Sequence, residues 1–294
     1  MKTYRIVSLL FFLVSILSFQ QGFAQADTAK TSAPKYYEIT TNDGGEFVGI
    51  IISQDAKEVL INTRDRGQIS IPKYQVKEIK EVPEKEITAT GGYIPAEVFS
   101  TRYFITTNGL PIEKKESYIL WNLWGPDFEF GVGKNLGVGI MTSWIGMPII
   151  GTVKYTINLQ QNVNMAIGGL VGTGSWIQPN FGLALPYAAL TFGDRKSNIT
   201  FSGGYGAVFN NGNNNGRLLF SVAGMAKMGK KVCFVFDSFL VTPKGNLSGG
   251  GLILPGIRLQ TDSKKAFQFG FGGLYVDGKF IPSPIPYVQW FRKL

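Results

Sequence analysis

Gly151-Thr152-Val153-Lys154-Tyr155-Thr156-Ile157-Asn158-Leu159 is the stretch whose reading decides the fold. Successive side chains of a strand point to opposite faces. Val153, Tyr155, Ile157 and Leu159 therefore share one face, and Thr152, Lys154, Thr156 and Asn158 share the other. The same alternation returns in 230–241, where Val232, Phe234, Phe236 and Leu240 oppose Lys231, Cys233 and Asp237. In 264–276, Phe267, Phe269, Phe271 and Tyr275 oppose Gln268, Gly270 and Gly272. A soluble sandwich also alternates. The second face separates the two cases: it is small or polar yet holds few charges, as a barrel lumen does and a solvated surface does not.

Working outward, similar segments rich in Gly, aromatic and β-branched residues run from residue 116 to the end of the chain. They are 116–124, 127–133, 136–144, 150–159, 162–172, 181–193, 197–208, 216–228, 230–241, 249–261, 264–276 and 279–293. Most reach the roughly 9–11 residues that a tilted membrane-crossing strand needs. The expectation is an antiparallel transmembrane β-barrel of about 12 strands over 116–294, with ten or fourteen left open. Tight links at Lys134-Asn135, Gln160-Gln161, 194–196, Gly229-Lys230 and 262–264 alternate with longer ones at 144–148, 176–180, 210–216, 243–250 and 277–284. Outer-membrane barrels show this asymmetry, with short turns on the periplasmic side. An even strand count puts both barrel ends on that side. Thr101–Asn108 is strand-like too, but counting it gives an odd number, so it is read as a lead-in. Trp121, Trp124, Trp144 and Trp176 fall near strand or loop ends, as in an interfacial girdle. Pro186 and Pro255 count against a closed sheet, because each removes a ladder N–H.

Composition excludes much chemistry. The 294 residues include no His and one Cys, Cys233, so His-based hydrolases, His/Cys zinc sites and an internal disulfide are excluded. Charged residues are 17% of the chain. The formal net charge of +9 is spread over turns and loops and identifies no ligand. The Gly-rich tracts at 202–204 and 249–251 lack a following Gly-Lys-Ser/Thr and are not phosphate loops. No metal, cofactor or catalytic residue is expected, and the chain is read as a non-enzyme.

The N-terminus reads as an address. Lys2 and Arg5 precede an apolar run, Ile6–Phe19, and small residues at Gly22, Ala24 and Ala26 suit a cleavage site. Residues 1–26 are expected to be a signal peptide, because the run falls short of the roughly 20 residues of a spanning helix. Residues 36–82 follow as five short strands, with the Asp43-Gly44 hairpin, the Gly67 turn and the strand end Ile69-Ser70-Ile71-Pro72. This stretch resembles the Sm-like or SH3-like small barrel. Lys77 and Lys80 alternate with Glu78 and Glu81, so nucleic acid is not an expected partner; a periplasmic protein partner is. Residues 83–115 are expected to be a linker and lead-in.

Three further stretches carry a broader resemblance: Ser100-Thr101-Arg102-Tyr103-Phe104, Ile112–Tyr118, and the hairpin Phe130-Gly131-Val132-Gly133…Leu136-Gly137-Val138-Gly139. With them the chain resembles outer-membrane β-barrel proteins of Bacteroidetes-type bacteria. The resemblance implies an all-β fold, an outer-membrane location in contact with lipid, and a periplasmic N-terminal domain; it supplies no catalytic residues. The alternation assigns Glu129, Lys154, Arg217, Lys227, Asp237 and Arg258 to the lumen, either as a selectivity ring or as a salt-bridge network filling it. The expected role is structural anchoring or passive, porin-like diffusion. The alternative is a soluble periplasmic or secreted β-rich protein that docks a protein or glycan.

Overall fold

The computed structural model describes residues 34–245, 248–276, 279–282 and 286–294; the expected signal peptide lies outside them. The chain is all-β. Strands β1 (Tyr36–Thr41), β2 (Glu46–Gln54), β3 (Glu58–Thr63), β4 (Gly67–Pro72) and β5 (Val76–Val82) form an antiparallel sheet in the order β4-β3-β2-β1-β5. The β1–β2 turn works because Gly44 takes φ +88° and Asp43 Oδ1 accepts the Gly45 N–H. Ile39, Val59, Ile61 and Ile71 form the small core of this sheet.

The barrel begins with β6 (Tyr118–Asn122), β7 (Pro126–Gly131), β8 (Leu136–Thr142), β9 (Ile149–Gln160) and β10 (Val163–Gly174). It continues with β11 (Gln178–Gly193), β12 (Ser197–Asn210), β13 (Asn213–Lys227), β14 (Val232–Val241) and β15 (Gly250–Asp262). Two pieces, β16 (Lys265–Gly270) and β17 (Gly273–Val276), both pair with β15 and together make the eleventh barrel strand. The twelfth consists of β18 (Lys279–Pro282), on β17, and β19 (Tyr287–Lys293), on β16. Pairing of β19 with β6, Lys293 opposite Tyr118 and Trp290 opposite Trp121, closes the twelve-strand ring.

Both prolines that argued against closure sit at breaks in the ladder. Pairing of β11 with β12 skips from Ala184–Ala207 to Tyr187–Gly204, and Pro186 occupies the gap. Pro255 lies between the part of β15 that pairs with β17 and the part that pairs with β16. At each place the missing N–H has no partner to lose. The expected long connection at 210–216 is instead a two-residue turn. Asn211 and Gly212 take φ +48° and +80°, the backbone of a tight hairpin that follows strand twist, so β12 and β13 run on to meet it.

The faces of the barrel are exchanged relative to a water-soluble fold. On β9, Val153 and Tyr155 are about half exposed, while Lys154 and Thr156 are buried. Phe220, Phe234, Leu240, Phe271 and Trp290 also point outward. Arg258, Gln268 and Gln289 are fully buried inside. Trp124, Trp144 and Trp176 are exposed near the loop end.

The segment expected as a linker is ordered throughout, and it divides in two. Residues 84–94 fold back onto the small sheet, where Tyr93 packs with Val48 and Val82 and Ile87 bridges to Tyr93. Residues 97–112 enter the barrel. The small sheet sits at the tight-turn end. Lys230, in the β13–β14 turn, pairs with Glu38 and Glu46, and Lys196 Nζ donates to the Lys85 carbonyl at 3.0 Å. Partial burial lowers the Lys230 pKa, the two carboxylates raise it more, and the net shift is upward. The contact is therefore complete below the ordinary lysine pKa and is lost as pH rises through the raised value. Lys230→Ala is expected to leave the barrel folded and speed limited proteolysis around 94–97; an unchanged cleavage rate would show that the clasp contributes nothing.

Candidate functional site: the filled lumen

A chain segment without regular structure cannot satisfy its own N–H and C=O groups, so inside a barrel the wall must do so. The lumen residues of this protein are arranged to that end. Arg102 and Thr107 bridge a small hairpin, and the Tyr103 N–H donates to the Thr106 carbonyl at 3.0 Å. Its tip is Phe104-Ile105. The Asp237 carboxylate on β14 accepts from the Ile105 N–H at 2.6 Å, the Thr106 N–H at 2.8 Å and the Thr106 hydroxyl at 2.6 Å. Arg258 on β15 donates to the carbonyls of Phe99 and Arg102, each at 2.6 Å, and to Gln268 Oε1 at 2.6 Å. Gln289 Nε2 donates to the Phe104 carbonyl at 2.7 Å. On the opposite wall, Tyr103 Oη donates to Asn198 Oδ1 at 2.5 Å, and Thr191 Oγ1 accepts the Gly109 N–H at 2.7 Å.

Packing seats the same segment. Gly256 and Gly270 leave room for the Phe104 ring: a Cβ on either would lie 2.5 or 2.6 Å from its Cζ. Phe104 meets Tyr287 edge-on at 5.7 Å, and Phe99 contacts both Tyr118 and Phe291. Tyr103 and Phe104 are fully buried. Residues 97–112 are thus a plug, not a lead-in. The strand-like pattern of 101–108 is that of the plug hairpin, which is why the barrel count stays even.

Five of the six lumen candidates converge on this plug. Lys154 Nζ donates to Thr107 Oγ1 and to the carbonyls of Asn108 and Leu110, at 3.2, 3.3 and 3.0 Å. Lys227 pairs with Glu97 at 2.7 Å, both side chains about 1% exposed. Glu129 lies 3.8 Å from Arg102, whose guanidinium also holds Asp127 at 2.7 Å. Asp237 and Arg258 hold the backbone as described. Arg217 stands apart at the loop end, donating to the Ser248 carbonyl at 3.2 Å. These charges bind chain rather than ring an open passage. Reasoning from sequence missed Arg102, Asp127, Glu97 and Arg195 as members of the network. Arg195 ties the β11–β12 turn to Glu116 at 2.8 Å and to the Pro111 carbonyl at 2.9 Å. The available signal was the run of amides and hydroxyls on inward positions, Thr191, Asn198, Thr200, Gln268 and Gln289.

On the loop side of the plug hairpin the lumen opens into a cavity of about 240 Å³, bounded by side chains of β7 to β14.

No protein family matches the chain, and no curated protein matches it. Two solved structures are similar in outline. Outer-membrane expressed OmpT of Vibrio cholerae is 11% identical, over 88% of this chain and 94% of that one, with a TM-score of 0.37. In-vitro folded OmpT of the same organism, in trimer form, is 10% identical over 88% and 95%, with a TM-score of 0.36. At those values the likeness carries no argument about activity or location.

Asp237→Leu removes one acceptor from three plug donors, and each unpaired buried donor costs about 1–3 kcal/mol. Hydrogen exchange at the Ile105 and Thr106 amides is expected to accelerate at least about tenfold, with the β9–β13 amides unchanged. Equal acceleration throughout would mean the carboxylate holds the whole barrel and not the plug.

Proposed function

We propose that the chain is an outer-membrane β-barrel protein whose lumen is shut by its own residues 97–112, with the N-terminal sheet in the periplasm. The observation that carries this reading is the exchange of faces. Apolar side chains such as Val153, Phe220 and Phe234 point out, and polar ones such as Arg258, Gln268 and Gln289 are buried within. An outward apolar band of this extent is an aggregation surface in water and a fit to hydrocarbon in a bilayer. Closure of the antiparallel ring through β19 and β6 also pairs the two edges that an open sheet would present to lipid. A soluble binding protein would need the opposite arrangement. The side with tight turns and the small sheet is assigned to the periplasm because bacterial barrels keep their short turns there.

Of the two expected roles, anchoring is supported over passive diffusion. A porin needs a wet passage, whereas here Tyr103, Phe104 and the ion pair Lys227–Glu97 fill the turn-end half of the lumen. The role proposed is to hold the small sheet at the membrane, where it docks a periplasmic protein. Exposed Tyr74, and strand β4, which is paired on one side only, suit such a partner. A non-catalytic role agrees with the lack of His.

Two measurements test this. Phe220→Arg is expected to weaken folding into lipid vesicles by about 2–4 kcal/mol, the cost of a cation near mid-bilayer on the lipid face; a change within about 0.5 kcal/mol would place that face in water. In planar bilayers the intact protein is expected to give no steady conductance, and deletion of residues 97–112 is expected to produce it. Stable open-channel steps from the intact protein would overturn the shut lumen.

A further inference from the structure

We propose that the cavity above the plug hairpin is a binding site for a small, uncharged, lipophilic molecule bearing a hydroxyl group. Met141, Leu170, Leu185, Leu219 and Phe239 form its walls. Arg102, Thr106, Glu129 and Lys154 form its floor. An apolar cavity of about 150 Å³ in another protein admits benzene. At about 240 Å³, this one has room for a two-ring molecule.

The polar groups at the cavity define the head. Ser221 lines it, is 8% exposed, and its Oγ has no hydrogen-bond partner among the described residues. A buried hydroxyl without a partner is costly, and a guest hydroxyl met by the Ser221 side chain, turned about χ1 at the cavity wall, removes that cost. The floor also excludes an anion. An ammonium has three donors, and all three of Lys154 are spent on Thr107, Asn108 and Leu110. The Arg102 charge is met by Asp127 and Glu129, and Asp237 is enclosed by three plug donors. Among the described residues that line the cavity, no free cation remains to receive a carboxylate. A cationic head would face both Arg102 and Lys154. A neutral hydroxyl can donate to the Glu129 carboxylate and also accept a hydrogen bond, without adding charge.

The test is calorimetric titration of 2-naphthol into the full chain held in amphipol, with 2-naphthoate, which has the same ring system and a carboxylate in place of the hydroxyl, as the anionic comparison. The expected result is saturable binding of one 2-naphthol per chain, with 2-naphthoate at least about tenfold weaker. Leu185→Trp fills the cavity and is expected to weaken 2-naphthol at least about tenfold, with retention of heat-shifted gel migration confirming the fold. Ser221→Ala, a smaller change, is expected to weaken it about threefold to tenfold. Absence of saturable binding overturns the proposal. So does 2-naphthol binding unaffected by Leu185→Trp and Ser221→Ala, or 2-naphthoate binding as tight as 2-naphthol. Conductance of the intact protein is a separate readout, so failure here leaves the shut lumen standing.

Discussion

Closure of β19 on β6 is the constraint from which the rest of the structure follows. Once Lys293 stands opposite Tyr118, the ring is closed, with the short β18 at the loop end paired only with β17, and the wall has an inside and an outside. The period of two along each strand then assigns every side chain to one or the other. Val153, Phe220 and Phe234 go outward, whereas the amides, the charged groups and the apolar side chains that seat the plug or line the cavity, such as Gln268, Arg258, Phe291 and Leu185, go inward. A wall of this kind encloses a polar space, and that space must be either wet or filled. Residues 97–112 fill the half nearest the tight turns.

Filling it sets the chemistry of the wall. The plug hairpin pairs with itself only around Arg102–Thr107, so its other carbonyls and amides are met by side chains with fixed, directional groups. Arg258 spans two plug carbonyls and a glutamine, and Asp237 gathers three donors. Buried charges are expensive, and they persist here because each is matched to a partner. Gly256 and Gly270 give the Phe104 ring its seat, so packing and polar matching select the same placement of the hairpin tip. The tether is short: Tyr93 still packs on the small sheet, while Glu97 already pairs with Lys227 of the barrel. Whatever holds the small sheet at the turn end therefore also limits where the plug can go.

The wall was legible in the sequence because its signal is local. Alternation in 151–159, 230–241 and 264–276 marks the faces of β9, β14 and the eleventh strand, and spacing between turn residues points to about twelve strands, with ten or fourteen left open until the β19–β6 pairing is seen. The plug was not legible, because nothing local distinguishes a hairpin surrounded by wall from a strand within it. Tyr103-Phe104-Ile105 reads as extended chain in either place, and only the partners on β12, β14 and β15, about 95 to 160 residues away in sequence, settle the matter. The same holds for the lumen charges. Period places Lys154 and Arg258 inside, but their partners lie in a segment whose composition reads as linker. Pro186 and Pro255 looked like faults because sequence shows the missing N–H and not the break in the ladder beside it. The Asn210–Gly216 run looked like a loop because its composition is polar; the Asn211-Gly212 pair was the informative part.

Nitroxide labels placed singly from Gly151 to Ile157 in the protein reconstituted in lipid vesicles test the exchanged faces directly, by collision with oxygen and with a water-soluble nickel chelate. The account calls for high oxygen accessibility at 151, 153, 155 and 157 and low accessibility to both reagents at 152, 154 and 156. Nickel accessibility at the odd positions, or no alternation at all, would contradict it.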